Sequence, residues 1–172
     1  ALSCGGDSSM ALLDDGTVRA WGRNSNGQLG DGTSQDQPTP VVVQGLNHAK
    51  AISAGNGFAM ALRMDGTVWA WGANNYGQLG DGTTVDSITP VDVVGLSSAV
   101  AAVSSGYDHT CGLTIAGGVK CWGGNYHGQL GDGTTADSTT PVDVVGLPGV
   151  VAVSTGEGST CALTDAGGVK CW

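Results

Sequence analysis

Four of the five cysteines are spaced for chemistry. Cys111 and Cys121 are ten residues apart, as are Cys161 and Cys171. Each pair brackets a turn signal, Gly117-Gly118 in one case and Gly167-Gly168 in the other. If antiparallel strands flank each turn, with the first centred near Ala116, the two cysteines of a pair stand opposite each other. A non-hydrogen-bonded antiparallel pair holds its Cα atoms about 4.5 Å apart, within the range of a disulfide. Two other copies of this segment carry Met10/Ala20 and Met60/Ala70 instead, so both cysteines are lost together. That pattern favours two disulfides over four thiols acting as small apolar fillers. Zinc has the weakest case, because no Cys-x-x-Cys or nearby His completes a site. Cys4 has no mate, aligns with Ala54, Ser105 and Thr155, and is expected to be a buried free thiol.

Carboxylates recur as Asp-Gly-Thr-x-x-Asp, at Asp31/Asp36, Asp81/Asp86 and Asp132/Asp137. Two carboxylates and backbone carbonyls could hold calcium, which makes Asp31, Asp81 and Asp132 weak calcium candidates. The dense alternation of acids found in calcium loops is missing, and Asp-Gly is turn chemistry. Turn formation is the expected role, with no cofactor and no metal. The histidines are His48, His109 and His127. His109 is expected just before a strand. No Ser, Cys or carboxylate recurs at a spacing that would build a catalytic triad, so an enzyme is not expected.

These residues sit in a repeat. Trp71-Gly-Ala-Asn-Asn-Tyr-Gly-Gln-Leu-Gly-Asp-Gly-Thr83 has counterparts starting at Trp21 and Trp122, and Trp172 opens another. The intervals are 50, 51 and 50 residues. Each period holds a short apolar run ending in Gly, a second run, an Asp-Gly or Gly-Gly turn, and a third run ending in Trp. A glycine-rich loop and a Thr-Pro-Val run, with Pro at its start, complete it. Two runs joined by Asp-Gly read as a β-hairpin, and Pro suits an edge strand. Sustained helical periodicity is absent.

Four short antiparallel strands per period of about 50 residues describe a propeller blade. The fold class is therefore all-β, with blades at about 1–46, 47–96, 97–147 and an incomplete 148–172, roughly 3.5 to 4 blades in one domain. Blades stack on both faces, which explains apolar runs with weak alternation. Trp21, Trp71, Trp122 and Trp172 are expected to pack between blades.

The stretch Asp65 to Thr83, Thr89-Pro90-Val91 and His109-Thr-Cys-Gly-Leu-Thr114 resemble the regulator of chromosome condensation (RCC-type) repeat family, over essentially the whole chain. The resemblance implies a seven-bladed propeller. It implies no single function, since members serve as exchange factors for small GTPases, as parts of ubiquitin ligases or as a β-lactamase inhibitor.

Composition narrows the classes. The 31 glycines exceed the usual ~7% and imply many tight turns. A net charge of −9 argues against nucleic acid and anionic membranes. No apolar run approaches the ~20 residues of a membrane span. The chain starts at Ala1 and reads as a trimmed or excised piece, so a missing signal peptide says nothing of compartment.

From Trp71 to Leu96 and Trp122 to Leu147, only five of 26 aligned positions differ. They are Ala73/Gly124, Asn75/Tyr126, Tyr76/His127, Val85/Ala136 and Ile88/Thr139. Variable loop residues in a rigid frame are where binding usually lives, so Asn26, Tyr76, Tyr126 and His127 form a possible partner-binding loop for a protein or a sugar. Drift in solvated loops would give the same variation.

The expected function is a non-enzymatic propeller that binds protein or self-assembles as a scaffold. The alternatives are a regulatory module of the small-GTPase exchange-factor type and a structural cell-surface component. An extracellular or cell-surface setting is expected from the cysteine pairs, and five free thiols would point to the cytosol. A seven-bladed ring needs about 350 residues at about 50 per blade, so a second copy (a homo-oligomer) or the rest of a longer chain is expected to complete it.

Overall fold

The computed structural model describes residues 1–96 and 99–172. Among these residues the secondary structure is strands and turns, in four antiparallel sheets. The first contains β1 (Leu2–Gly5), β2 (Ser8–Leu12), β3 (Val18–Gly22) and β4 (Gln37–Val42). The second contains β5 (Ala49–Ala54), β6 (Phe58–Arg63), β7 (Val68–Gly72) and β8 (Ser87–Asp92). The third contains β9 (Val100–Ser105), β10 (His109–Thr114), β11 (Val119–Gly123) and β12 (Ser138–Asp143). The last has three strands, β13 (Val150–Thr155), β14 (Thr160–Thr164) and β15 (Val169–Cys171). Each sheet runs in sequence order, which is the meander of a propeller blade.

The turn signals act as expected. Gly16, Gly66, Gly117 and Gly167 take φ between 78° and 85°, a left-handed conformation that favours glycine. Asp15 and Asp65 accept hydrogen bonds from the N–H and hydroxyl of Thr17 and Thr67. In the Gly-Gly copies Thr114 and Thr164 close the turn from the other side. The outer strand begins earlier than its Thr-Pro-Val signal. Pro40 and Pro90 lie inside β4 and β8, not at their starts. There the register against β3 and β7 shifts, so the absent N–H costs no ladder bond.

The core is divided among the blade junctions. Met10, Val18, Leu29 and Val43 of the first blade pack with Ala59, Ala61 and Trp71 of the second. Phe58, Met60 and Leu79 pack with Val100 and Trp122. Leu113 and Leu130 pack with Val150, Ala162 and Trp172. The second strands of the second and third blades are therefore buried on both faces, and every residue of β10 is buried. In the first blade alternation returns: Ser8 and Met10 are buried while Ser9 and Ala11 are only partly so.

Two contacts recur at all three described junctions and a third at the first two. The indole N–H of Trp71, Trp122 and Trp172 donates to the carbonyl of Gln28, Gln78 and Gln129 in the preceding blade, at 2.9–3.0 Å. The hydroxyls of Ser3, Ser53 and Ser104 accept from the N–H of Ala54, Ser105 and Thr155 in the following blade. Gly32 and Gly82 donate to the carbonyls of Ile88 and Thr139 of the next outer strand. The inner strands end around a central opening lined by Gly5, Gly55, Gly106 and Gly156.

Position in the array corrects two expectations. Trp71 and Trp122 are fully buried, but Trp21 and Trp172 are only half-buried. Among the described residues no blade lies before Trp21, whereas Trp172 reaches Gln129. Cys4 is exposed, not buried. Its counterpart Ala54 faces the preceding blade, and no such blade lies beside Cys4 among the described residues.

The two cysteine pairs stand directly opposite each other in register, at disulfide distance, with Cα atoms 4.1 Å apart. Met10/Ala20 and Met60/Ala70 occupy the same paired positions.

Tryptophan truncation should report this packing. Trp122→Ala should cost about 3–5 kcal/mol, as for other buried aromatics, and Trp21→Ala less than about half as much. Denaturant unfolding of the two variants checks it. Equal losses would contradict the junction assignment.

Candidate binding face

The long loop between the third and fourth strands of each blade is built around a buried asparagine. Asn24, Asn74 and Asn125 are completely buried. The Asn74 amide donates to Asp81, to the carbonyl and hydroxyl of Thr83, and to the Val85 carbonyl. Its oxygen accepts from Leu79 N–H at 2.9 Å, and its own N–H donates to Asp86 at 2.7 Å. Asn24 and Asn125 repeat this network. The Gln28, Gln78 and Gln129 side chains accept from the N–H of Asn26, Tyr76 and His127. With the buried amide satisfied on both sides, the loop backbone is fixed.

Asp31, Asp81 and Asp132 belong to that frame. Each Oδ1 accepts from the N–H and hydroxyl of the Thr two residues on, and from the buried Asn. Those oxygens serve a turn, as Asp-Gly chemistry predicts.

The residues that vary between copies lie on this frame at the blade junctions. Asn26 comes against Gly57, Tyr76 against Gly124 and Asp108, and His127 against Gly158. Tyr126 is exposed, and its ring meets Tyr76 edge-on at 5.7 Å between centroids. The four loop residues singled out from sequence thus share one face. The short turns between first and second strands share it too. Their residues Asp7, Asn56, Tyr107, Asp108 and Glu157 line clefts with the long-loop residues. Sequence reasoning missed these turns, although comparing the copies Gly5-Gly6-Asp7, Gly55-Asn56-Gly57, Gly106-Tyr107-Asp108 and Gly156-Glu157-Gly158 shows the same variation. Burial and the nearby Asp137 carboxylate raise the pKa of Asp108 above the ordinary carboxylate value.

The sequence profile of the Regulator of chromosome condensation (RCC1) repeat matches residues 15–62, 65–113 and 116–163, and a second profile of that description matches 1–28, 49–78 and 100–129. The chain is 33% identical over 153 residues to the ultraviolet-B receptor UVR8 of Arabidopsis thaliana, covering 87% of this chain and 35% of that protein. It is 46% identical over 141 residues to the probable E3 ubiquitin-protein ligase HERC4 of Homo sapiens, covering 81% of this chain and 13% of that protein. The crystal structure of Prp20p from Saccharomyces cerevisiae, described with its binding to Gsp1p and histones, superposes with a TM-score of 0.87 at 23% identity, over 100% of this chain and 44% of that one. The chain thus spans about a third or less of these two curated relatives' length.

His109 opens β10 instead of preceding it, and is fully buried at the junction of the third and fourth blades. Thr160 donates its hydroxyl proton to the Gln129 carbonyl at 2.8 Å. Its oxygen therefore accepts from His109 Nε2–H at 2.9 Å, which leaves Nδ1 unprotonated and without a partner. Burial pushes the imidazole pKa down from 6.5 to about 4. A depressed histidine pKa means that the unfolded chain binds the extra proton first. The stabilisation is complete above about pH 6.5 and is lost as pH falls towards 4, by at most about 3 kcal/mol. Phe58 holds the equivalent place in the second blade, so His109→Phe should flatten the fall in stability between pH 7.5 and 5. Denaturant unfolding of parent and variant across that window checks it, and parallel curves would contradict it.

Proposed function

The chain belongs to the regulator of chromosome condensation repeat family, and we propose that it is a protein-binding regulatory propeller whose variable loop face recognises the partner. The observation that carries this reading is where the copies diverge. Between the nearly identical second and third copies, three of five differences fall in the loop over the junction: Ala73/Gly124, Asn75/Tyr126 and Tyr76/His127. The Asn frame beneath them is unchanged. Tyrosines presented on a rigid support suit a protein interface, where they add contact area at low entropic cost. Relatives named as an ultraviolet-B receptor and as a probable E3 ubiquitin-protein ligase share these repeats, so the fold alone assigns no activity, and the reading rests on the face the repeats present.

Blade faces support completion of the ring. The half-exposed Trp21 and the Cys4 N–H on one end, and the exposed Ser154 hydroxyl on the other, are the halves of contacts made at every described junction. A second copy would offer Ser154 to Cys4. A longer chain would also offer Trp21 a Gly-Gln-Leu-Gly loop. Light scattering on the chain distinguishes the cases. A species near twice 17.0 kDa supports closure by a second copy, and a sharply unfolding monomer at micromolar concentration overturns closure.

Cysteine pairs at disulfide distance support an extracellular or cell-surface setting. Five free thiols in protein isolated without reductant would remove that support.

The binding reading is tested by affinity capture from the source organism's extract. Tyr76→Ala combined with Tyr126→Ala should reduce captured partner at least tenfold with the melting temperature unchanged. Met64→Ala, in an exposed turn between second and third strands, should leave capture intact. Equal capture by the tyrosine variant and the parent would contradict the assignment of this face.

A further inference from the structure

All three tyrosines of the chain, Tyr76, Tyr107 and Tyr126, gather at one place on the loop face. Tyr107 and Tyr126 are 46% and 66% exposed. They line a cleft of about 420 Å³ between the third and fourth blades, together with Asp108, His127 and Glu157. None of the chain's six Lys and Arg residues lines it.

The first blade shows what such an acid takes as a partner. Asp7 is the counterpart of Asp108, and Arg23 the counterpart of Gly124. In the first blade the Arg23 guanidinium lies 3.3 Å from the Asp7 carboxylate. In the third blade Gly124 carries no side chain to pair with the acid, and its Cα lies close against it: a Cβ there would stand 3.3 Å from the Asp108 side chain and 3.7 Å from Tyr76 Cβ. Asp108 forms no ion pair among the described residues, and both its burial and Asp137 make its negative charge costly. An incoming cation relieves that cost. Tyrosine faces add cation–π attraction, for which guanidinium is the more frequent partner, and Arg matches a carboxylate through two parallel N–H donors where Lys offers a point charge.

We infer that this cleft receives an arginine side chain from the partner protein, in the place that Arg23 fills within the first blade, with Asp108 and Glu157 as acceptors and Tyr107 and Tyr126 as walls. This rests on the protein-binding reading and adds the chemistry of the contact. It also accounts for the single Ala/Gly/Arg position at the loop's entrance: Arg23 pairs with the acid of the first cleft, and Gly124 leaves the acid of the third without that partner.

The test is an NMR titration of the chain at physiological salt with acetyl-Gly-Arg-Gly-amide, using acetyl-Gly-Gln-Gly-amide and maltotriose as comparisons. Saturable shifts confined to Tyr107, Asp108, Tyr126 and Glu157, at least tenfold weaker for the glutamine peptide, support the assignment. Gly124→Arg should abolish the response, because once Asp108 and Tyr76 give by a few tenths of an ångström to admit its Cβ it sets a guanidinium beside the Asp108 carboxylate, as Arg23 stands beside Asp7. Asp108→Asn should weaken it at least fivefold, and Asp92→Asn, on an outer strand, should leave it unchanged. Thermal melts confirm that each variant is folded. Shifts spread over all the acidic residues, equal response to both peptides, a response to the sugar alone, or a Gly124→Arg variant that binds like the parent would each overturn the inference. The broader reading stands or falls separately. If the tyrosine variants lose the captured partner while Gly124→Arg retains it, only the arginine assignment fails.

Discussion

The fold depends on one hydrogen bond that crosses from blade to blade. The indole of Trp71 enters the Gly-Gln-Leu-Gly loop of the blade before it and donates to the Gln28 carbonyl; Trp122 and Trp172 do the same to Gln78 and Gln129. A buried indole brings large apolar area but must satisfy its N–H, and a loop carbonyl in a fixed position does so. The loop must let the ring approach. A Cβ on Gly30, Gly80 or Gly131 would stand under 3.0 Å from the entering indole, and all three glycines have φ between 66° and 70°. The tryptophan and the glycine loop that follows it in sequence therefore serve two different junctions. Each repeat supplies a knob to its predecessor and a socket to its successor, which is why the two travel together at a period of about 50 residues.

This directionality explains which parts of the architecture were legible in the sequence. Strand content, hairpins and the opposed cysteine positions follow from local signals, turn glycines and the pairing they impose, and these hold in every copy. Burial does not. The repeat sets the places of Cys4, Trp21 and His109, whereas their exposure depends on whether another blade lies alongside. Cys4 and Trp21 face the side without a neighbour, and His109 is sealed by Thr160 from the blade that follows. A periodic sequence treats copies as equivalent; a finite array does not.

The binding face was half legible for a related reason. Asn26, Tyr76, Tyr126 and His127 stand out because they vary inside a long, nearly invariant motif. Tyr107, Asp108 and Glu157 do not, because the turn that carries them has little motif around it to mark the variation. Only folding brings the short turn of one blade beside the long loop of its neighbour. The role of Asn74 was hidden in the opposite way. It is part of every copy, so nothing in the comparison of copies singles it out, yet its amide satisfies carbonyls and a carboxylate from residues 81 to 85 at once.

Separation of frame from face lets such a propeller change partners without losing its fold. The carboxylates of Asp36, Asp86 and Asp137 each accept the N–H of the loop asparagine at 2.7 Å, and the indoles are fixed by a backbone carbonyl of the preceding blade. Neither set of contacts uses the side chain at the loop entrance. That position is Arg, Ala and Gly in the three copies while both sets of contacts stay the same. An arginine there consumes the neighbouring carboxylate internally, and a glycine leaves it available. Only the first and third blades carry a carboxylate at this place in the short turn, Asp7 and Asp108, and of these Asp7 is paired by the Arg23 at its loop entrance.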